Sequence, residues 1–133
     1  MHLMNFADTN LDVRGSLSVV EFDRIPFTPQ RFFWIFGTPM HTSRAGHGHT
    51  MCEQFLLVQV GTVKIQVTNI ENEVKFFTLS SGDGYHLTTY NWLDLLEFSS
   101  DAVLGVFASL PYDRDEYIDS LEDMITLVNS LKN

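Results

Sequence analysis

Apolar positions in this chain come in short runs broken by polar or glycine-containing stretches, the rhythm of strands rather than of long helices. SLSVVEF (16–22) is rich in β-branched and apolar residues, and IPF then turns the chain. RFFWIFG (31–37) is apolar at nearly every position, which predicts a strand buried on both faces. QFLLVQV and TVKIQVT flank Gly61-Thr62, a hairpin signal, and the alternation of Val63, Ile65 and Val67 marks one inward face. EVKFFTL follows a second turn at Glu71-Asn72, and YHLTTY, WLDLLEFS and AVLGVFAS complete the series. Strands at this spacing predict an all-β sandwich or barrel spanning about residues 16–109.

The last twenty residues change period. Asp113 and Glu116 have capping-box spacing after Pro111, and Ile118, Leu121, Ile125 and Val128 recur at three- and four-residue steps. The pattern predicts one amphipathic helix over about 114–131, packed on the sheet, with its carboxylates on a solvated face. No linker, repeat or low-complexity tract divides the chain, so residues 1–133 read as a single domain.

Composition narrows the function classes. The 133 residues are 44% hydrophobic, with eleven Phe, enough for a broad core. The single Cys52 can form no internal disulfide, and no window reaches the roughly 18 apolar residues of a membrane span. The N-terminus lacks the basic start and apolar stretch of a signal peptide, so a cytoplasmic protein is expected. The net charge of −9 is placed unevenly: residues 51–133 carry four basic side chains against thirteen acidic ones. That balance argues against nucleic acid or an anionic membrane as partner. The arginines of the first half leave room for an anionic small molecule.

The densest chemistry lies in RAGHGHTMCEQ (44–54). On a strand His47 and His49 point to the same face, about 6–7 Å apart along the backbone, and Gly46 and Gly48 leave space around the imidazoles. H-x-H followed by a carboxylate and a later histidine is the ligand pattern of metal-binding cupins, small β-barrels of this size. Here the position that keeps the usual distance to Gly61 is Gln54 rather than Glu, and Leu93 stands where the later histidine falls. His86 is the only further histidine nearby. Two firm ligands do not make a metal site, so no metal is assigned. Neutral imidazoles instead suit proton transfer near pH 7, as in a keto-shift isomerisation. Neither a G-x-G-x-x-G nor a phosphate loop signals a cofactor, and none is expected.

From about residue 12 to 125 the chain resembles the cupin-type sugar-nucleotide 3,4-ketoisomerases that act on dTDP-4-keto-6-deoxyglucose. DVRGSL is similar to that family's D-x-R-G-x-L, IPFTPQRFFWIF to its I-P-F segment with an arginine and an aromatic strand, and RAGHGH to its R-G-x-H-A-H. Gln54 matches a glutamine of the family, Trp92 and Asp94 its W-x-E, and PYDRDEYI its closing Y-D-x-x-D-Y-I. Three departures stand out. The aromatic strand carries Phe32, Phe33, Trp34 and Phe36 where the family usually has tyrosines; Thr88-Thr89 replaces paired prolines; and Thr50 follows the second histidine.

The resemblance implies a cupin-like jelly roll with a C-terminal helix. It also implies His47 and His49 as the acid/base pair, without assigning which is the C3 base. Arg14, Arg44, Gln54 and Trp92 are the implied substrate contacts, and a dTDP-linked hexose is the small-molecule partner of a homodimer. The lost tyrosine motivates an alternative, a non-catalytic sugar-nucleotide-binding cupin. A metal-dependent cupin enzyme is the third reading.

Overall fold

The computed structural model describes residues 3–6 and 9–132, residues 9–12 by their backbone alone. The strands run β1 (Leu3–Asn5), β2 (Thr9–Asp12), β3 (Gly15–Ser18), β4 (Arg31–Phe36), β5 (Arg44–His49) and β6 (Gln54–Val60). They continue as β7 (Thr62–Thr68), β8 (Val74–Ser80), β9 (Asp83–Leu87), β10 (Trp92–Phe98), β11 (Val103–Ala108) and β12 (Tyr117–Ile118), before helix α1 (Leu121–Leu131). Two five-stranded antiparallel sheets result, ordered β1-β9-β6-β11-β4 and β12-β5-β10-β7-β8, with β2 and β3 forming a separate hairpin. This is the all-β, cupin-like arrangement with a C-terminal helix that the sequence predicts.

The period-2 alternation decides what lies between the sheets. Leu56 and Val58 of β6, Val63, Ile65 and Val67 of β7, Leu93 and Leu95 of β10, and Leu104 and Val106 of β11 fill the space between the layers. The β7–β8 ladder runs unbroken from Thr62↔Ser80 to Thr68↔Val74. Its preceding turn uses Gly61 at φ +78°, a conformation glycine adopts without steric cost.

A second apolar layer lies outside the first sheet. Phe55, Leu57 and Phe107 point away from the sandwich and are covered by Phe6 and Ile25 of the N-terminal segment. Gly84 lets the Phe55 ring lie flat on the neighbouring strand, since a Cβ there would overlap it. That cover stops short of β4. Arg31, Phe33 and Ile35 turn inward, whereas Phe32, Trp34 and Phe36 are 42%, 56% and 65% exposed. The expectation that this strand is buried on both faces fails because β4 is an edge strand whose outer side, apart from the contact of Phe32 with Phe107, is left largely uncovered by the described residues.

The C-terminal region also departs from its pattern. Asp113 does cap a turn, accepting from the Asp115 amide, but the turn is a 3-10 turn over Arg114–Glu116 that leads into β12. The helix starts at Leu121, with Ser120 accepting from the Asp123 amide, and so is shorter than 114–131. The capping-box reading misled because the carboxylate of Glu116 turns inward to bond a side chain 67 residues away. Met124 and Val128 are the buried residues of α1. Met124, fully buried, packs with Trp92 and Ile118, and such a side chain contributes roughly 1.5–3 kcal/mol. Among the described residues no helix is long and apolar enough to cross a membrane.

Candidate active site

The histidine strand is shaped by a bulge. Ala45 and Gly46 both take positive φ (70° and 71°), and the β5–β10 register shifts between Leu93 and Asp94. Bulges re-aim side chains, and beyond this one His47 pairs with the core residue Leu93 and shares its inward direction. His49, two residues on, follows. The rings stand 4.9 Å apart, perpendicular to each other. Gly48 between them serves α1 rather than a ligand: a Cβ there would sit 3.1 Å from Met124 Sδ and 3.3 Å from the Asn91 carbonyl.

The short strand β12 completes the site. Tyr117 pairs with His49, and its ring lies 4.4 Å from the His49 ring and 5.1 Å from that of His47. The preceding residue, Glu116, reaches the other edge of His49: Nδ1 is 2.6 Å from Oε1 and 3.0 Å from Oε2. The Cys52 amide donates to the same Oε1 at 3.2 Å. His49 and Glu116 are 3% and 6% exposed. An ionised carboxylate only accepts, so Nδ1 carries the proton and Nε2 presents a lone pair. That Nε2 is buried with no partner among the described residues.

Burial keeps both imidazoles neutral at pH 7. His47 is lowered to about 4, by desolvation first and by the adjacent His49 second. His49 is lowered by the same desolvation, with the hydrogen bond and charge of Glu116 working against it. The opposition matters chemically, because Glu116 stabilises an imidazolium on His49 and, among the described residues, no carboxylate touches His47 in the same way.

Two cavities meet at this pair. One, of about 240 Å³ between the sheets, is lined by His47, Gln54, Arg44, Arg31, Leu93 and Tyr117. The other, of about 420 Å³, is lined by His49, Cys52, Tyr112, Glu116 and again Arg31 and Tyr117. Arg31 lies over the Phe33 and Tyr112 rings, placing a guanidinium at the junction.

Four of the six residues singled out in the sequence thus come together: His47, His49, Arg44 and Gln54. Trp92 does not join them. It faces α1, 8% exposed, and its indole N–H donates to Asp94. Arg14 sits on the exposed turn between β2 and β3 and lines neither cavity. His86 is on the outer face of its sheet, 2.6 Å from Glu53 and away from the pair. Glu116, Tyr117, Arg31 and Cys52 carry no role in the sequence reading. The signal for the first two is present in PYDRDEYI, where capping-box spacing concealed an inward carboxylate. Of these residues, His49, Cys52 and Glu116 place potential ligand atoms within 4.8 Å of one another.

Comparison with known proteins fits this geometry. A TDP-4-oxo-6-deoxy-alpha-D-glucose-3,4-oxoisomerase of Aneurinibacillus thermoaerophilus is 33% identical over 124 residues, covering 90% of this chain and 88% of that protein. Among solved structures, QdtA of Thermoanaerobacterium thermosaccharolyticum, a sugar 3,4-ketoisomerase in complex with TDP, superposes with a TM-score of 0.88. It is 27% identical, over 97% of this chain and 94% of its own. A 3,4-ketoisomerase of Helicobacter canadensis gives 0.87 at 32% identity, with 96% of each chain covered. Residues 1–129 match the family described as FdtA: WxcM-like, C-terminal, and the chain belongs to that family.

Proposed function

We propose that this isomerase moves the ketone of TDP-4-keto-6-deoxyglucose from C4 to C3. The observation that carries the reading is the Nε2 of His49: buried, without a partner among the described residues, and held as a lone pair by Glu116 behind it. A base of that kind suits the C3 hydrogen, which the C4 carbonyl acidifies.

Two protons move in the reaction. The C3 hydrogen goes to C4, and the hydroxyl hydrogen of O3 goes to O4, so that C4 becomes the alcohol and C3 the ketone. His49 takes the first: Nε2 removes it, the imidazolium is stabilised by Glu116, and the enediol receives it back at C4. His47 takes the second. As a neutral imidazole it offers one N–H and one lone pair, which lets it exchange a proton between neighbouring oxygens without becoming charged. Arg44 and Arg31 suit the diphosphate through bidentate guanidinium contacts, and the Gln54 amide suits the sugar hydroxyls. Trp92 acts from behind, by seating α1 under the histidine strand.

A homodimer belongs to the same proposal. Phe32, Trp34 and Phe36 form an exposed aromatic row on an edge strand, which a second copy would cover. Arg14 keeps a substrate role only in such an assembly, because within one chain it lies outside both cavities. The lone Cys52 and a nucleotide-linked substrate favour the cytoplasm.

The test is direct conversion. Purified protein is incubated with TDP-4-keto-6-deoxyglucose and the position of the carbonyl followed by carbon NMR. Appearance of the 3-keto sugar supports the reading. Binding of the nucleotide by folded protein without turnover overturns it in favour of a non-catalytic sugar-nucleotide binder.

A further inference from the structure

Cys52 has no part in the proton transfers, yet its thiol lies beside the catalytic dyad. A ring nitrogen of His49, the sulfur of Cys52 and an oxygen of Glu116 fall within 4.8 Å of one another, and all three side chains are buried. The three residues line the 420 Å³ cavity, which gives a small ion a route in and leaves a fourth position for water. Among the described residues the thiol has only long polar contacts, 3.4 Å to the Glu53 carbonyl and 3.9 Å to Ser109 Oγ. The His49 nitrogen on the side of this cluster is Nδ1, shared with Glu116, while Nε2 has no partner among the described residues and is open to take a displaced proton.

We propose that these residues form an inhibitory site for a soft divalent cation of the Zn²⁺ class. One sulfur, one nitrogen and one oxygen are a tetrahedral donor set with one position open. At the usual bond lengths the donors stand roughly 3.3–3.6 Å apart, so the 2.6 Å contact between His49 and Glu116 opens and the sulfur moves in. Side-chain rotations suffice for both. The Cys52 thiol loses its proton to solvent. At His49 the metal takes Nδ1, and the proton held there passes to Nε2.

That tautomer change is the inhibitory step. With the metal on Nδ1, Nε2 becomes an N–H and has no lone pair for the C3 hydrogen. The loss of activity therefore rests on His49 being the base, whereas the binding of metal does not.

Cd²⁺ and Zn²⁺ serve as probes on the full chain. Cys52 is the only cysteine, so a sulfur-to-cadmium charge-transfer band can arise at no other residue. The proposal expects that band to saturate at one equivalent of Cd²⁺ and to vanish in Cys52→Ala, which keeps the amide that bonds Glu116. It expects Zn²⁺ to inhibit the wild type at least tenfold more strongly than Cys52→Ala, each measured against its own metal-free rate. Absence of the band in folded wild type overturns the site. A saturated band with an unchanged isomerase rate overturns the inhibitory role. If the protein lacks isomerase activity altogether, the band and its loss in Cys52→Ala still establish the cation site, while the ketoisomerase reading falls.

Discussion

His49 Nδ1 and Glu116 Oε1 lie 2.6 Å apart, joining strands β5 and β12 across 67 residues of sequence, and water reaches neither side chain appreciably. The contact ties β12 to the proposed base, since the short strand that brings Glu116 also brings Tyr117 onto both imidazoles. Replacing Glu116 by Gln removes the charge that stabilises the imidazolium and allows an amide N–H to face Nδ1, favouring the wrong tautomer. We expect kcat to fall about 10²- to 10⁴-fold with a much smaller change in KM, measured by steady-state kinetics.

In the proposed mechanism the depressed histidines set the pH profile. A base works only when unprotonated, and both rings are held below the ordinary value of 6.5. The acid limb of kcat/KM is expected below pH 6.5, with a flat profile from there to pH 8. A limb above pH 7 would show that neither ring acts as buried here. Stability follows the same sign. The unfolded chain binds a proton at His47 near pH 6.5 and the folded chain only near 4, so folding is weakened as pH falls through that interval. Urea midpoints measured between pH 7 and pH 4 check this, and His47→Asn should flatten the dependence.

Tyr117 separates a wall from a hydroxyl. Its ring lies 4.4 Å and 5.1 Å from the two imidazoles. Tyr117→Phe keeps that packing and is expected to retain activity within about threefold, whereas Tyr117→Ala frees both rings and should lower kcat more than tenfold. A large loss in the Phe variant would place the phenol itself in the proton path.

The exposed row on β4 makes a separate prediction. Trp34→Glu introduces a charge that an apolar interface would have to desolvate. Sedimentation should find wild-type dimers and variant monomers that keep the far-ultraviolet spectrum of the folded chain.

Gly48→Ala tests the seating of α1. The new methyl would press on Met124 Sδ and the Asn91 carbonyl, a crowding that costs about 1–3 kcal/mol and is read as a lowered urea midpoint.

Local patterns were legible wherever one element decided the outcome. The β7–β8 hairpin followed from the turn at Glu71-Asn72 and the β7 core face from strict alternation, whereas the Gly61-Thr62 turn, which reads as a hairpin, instead carries the chain from β6 in one sheet to β7 in the other. The common direction of His47 and His49 followed from a two-residue spacing. What escaped depended on partners distant in sequence. Trp92 appeared as a cavity wall because a strand pattern does not say which sheet face meets the helix and which the cavity. The hydrophobicity of β4 gave no sign that its outer face lacks a cover. Glu116 looked like a helix cap because spacing along a turn resembles capping whether or not the helix forms. The aromatic strand lacks the hydroxyl that the resemblance leads one to look for there, whereas the tyrosine that touches both histidines arrives from β12.

The most direct test is hydrogen exchange at C3 in deuterated water. With TDP-4-keto-6-deoxyglucose, wild-type protein should wash deuterium into C3 or C4. His49→Asn, still folded and still binding nucleotide, should slow that exchange about 10²- to 10⁴-fold. Exchange at an undiminished rate in the variant would contradict the assignment of His49 as the group that moves the carbon-bound hydrogen.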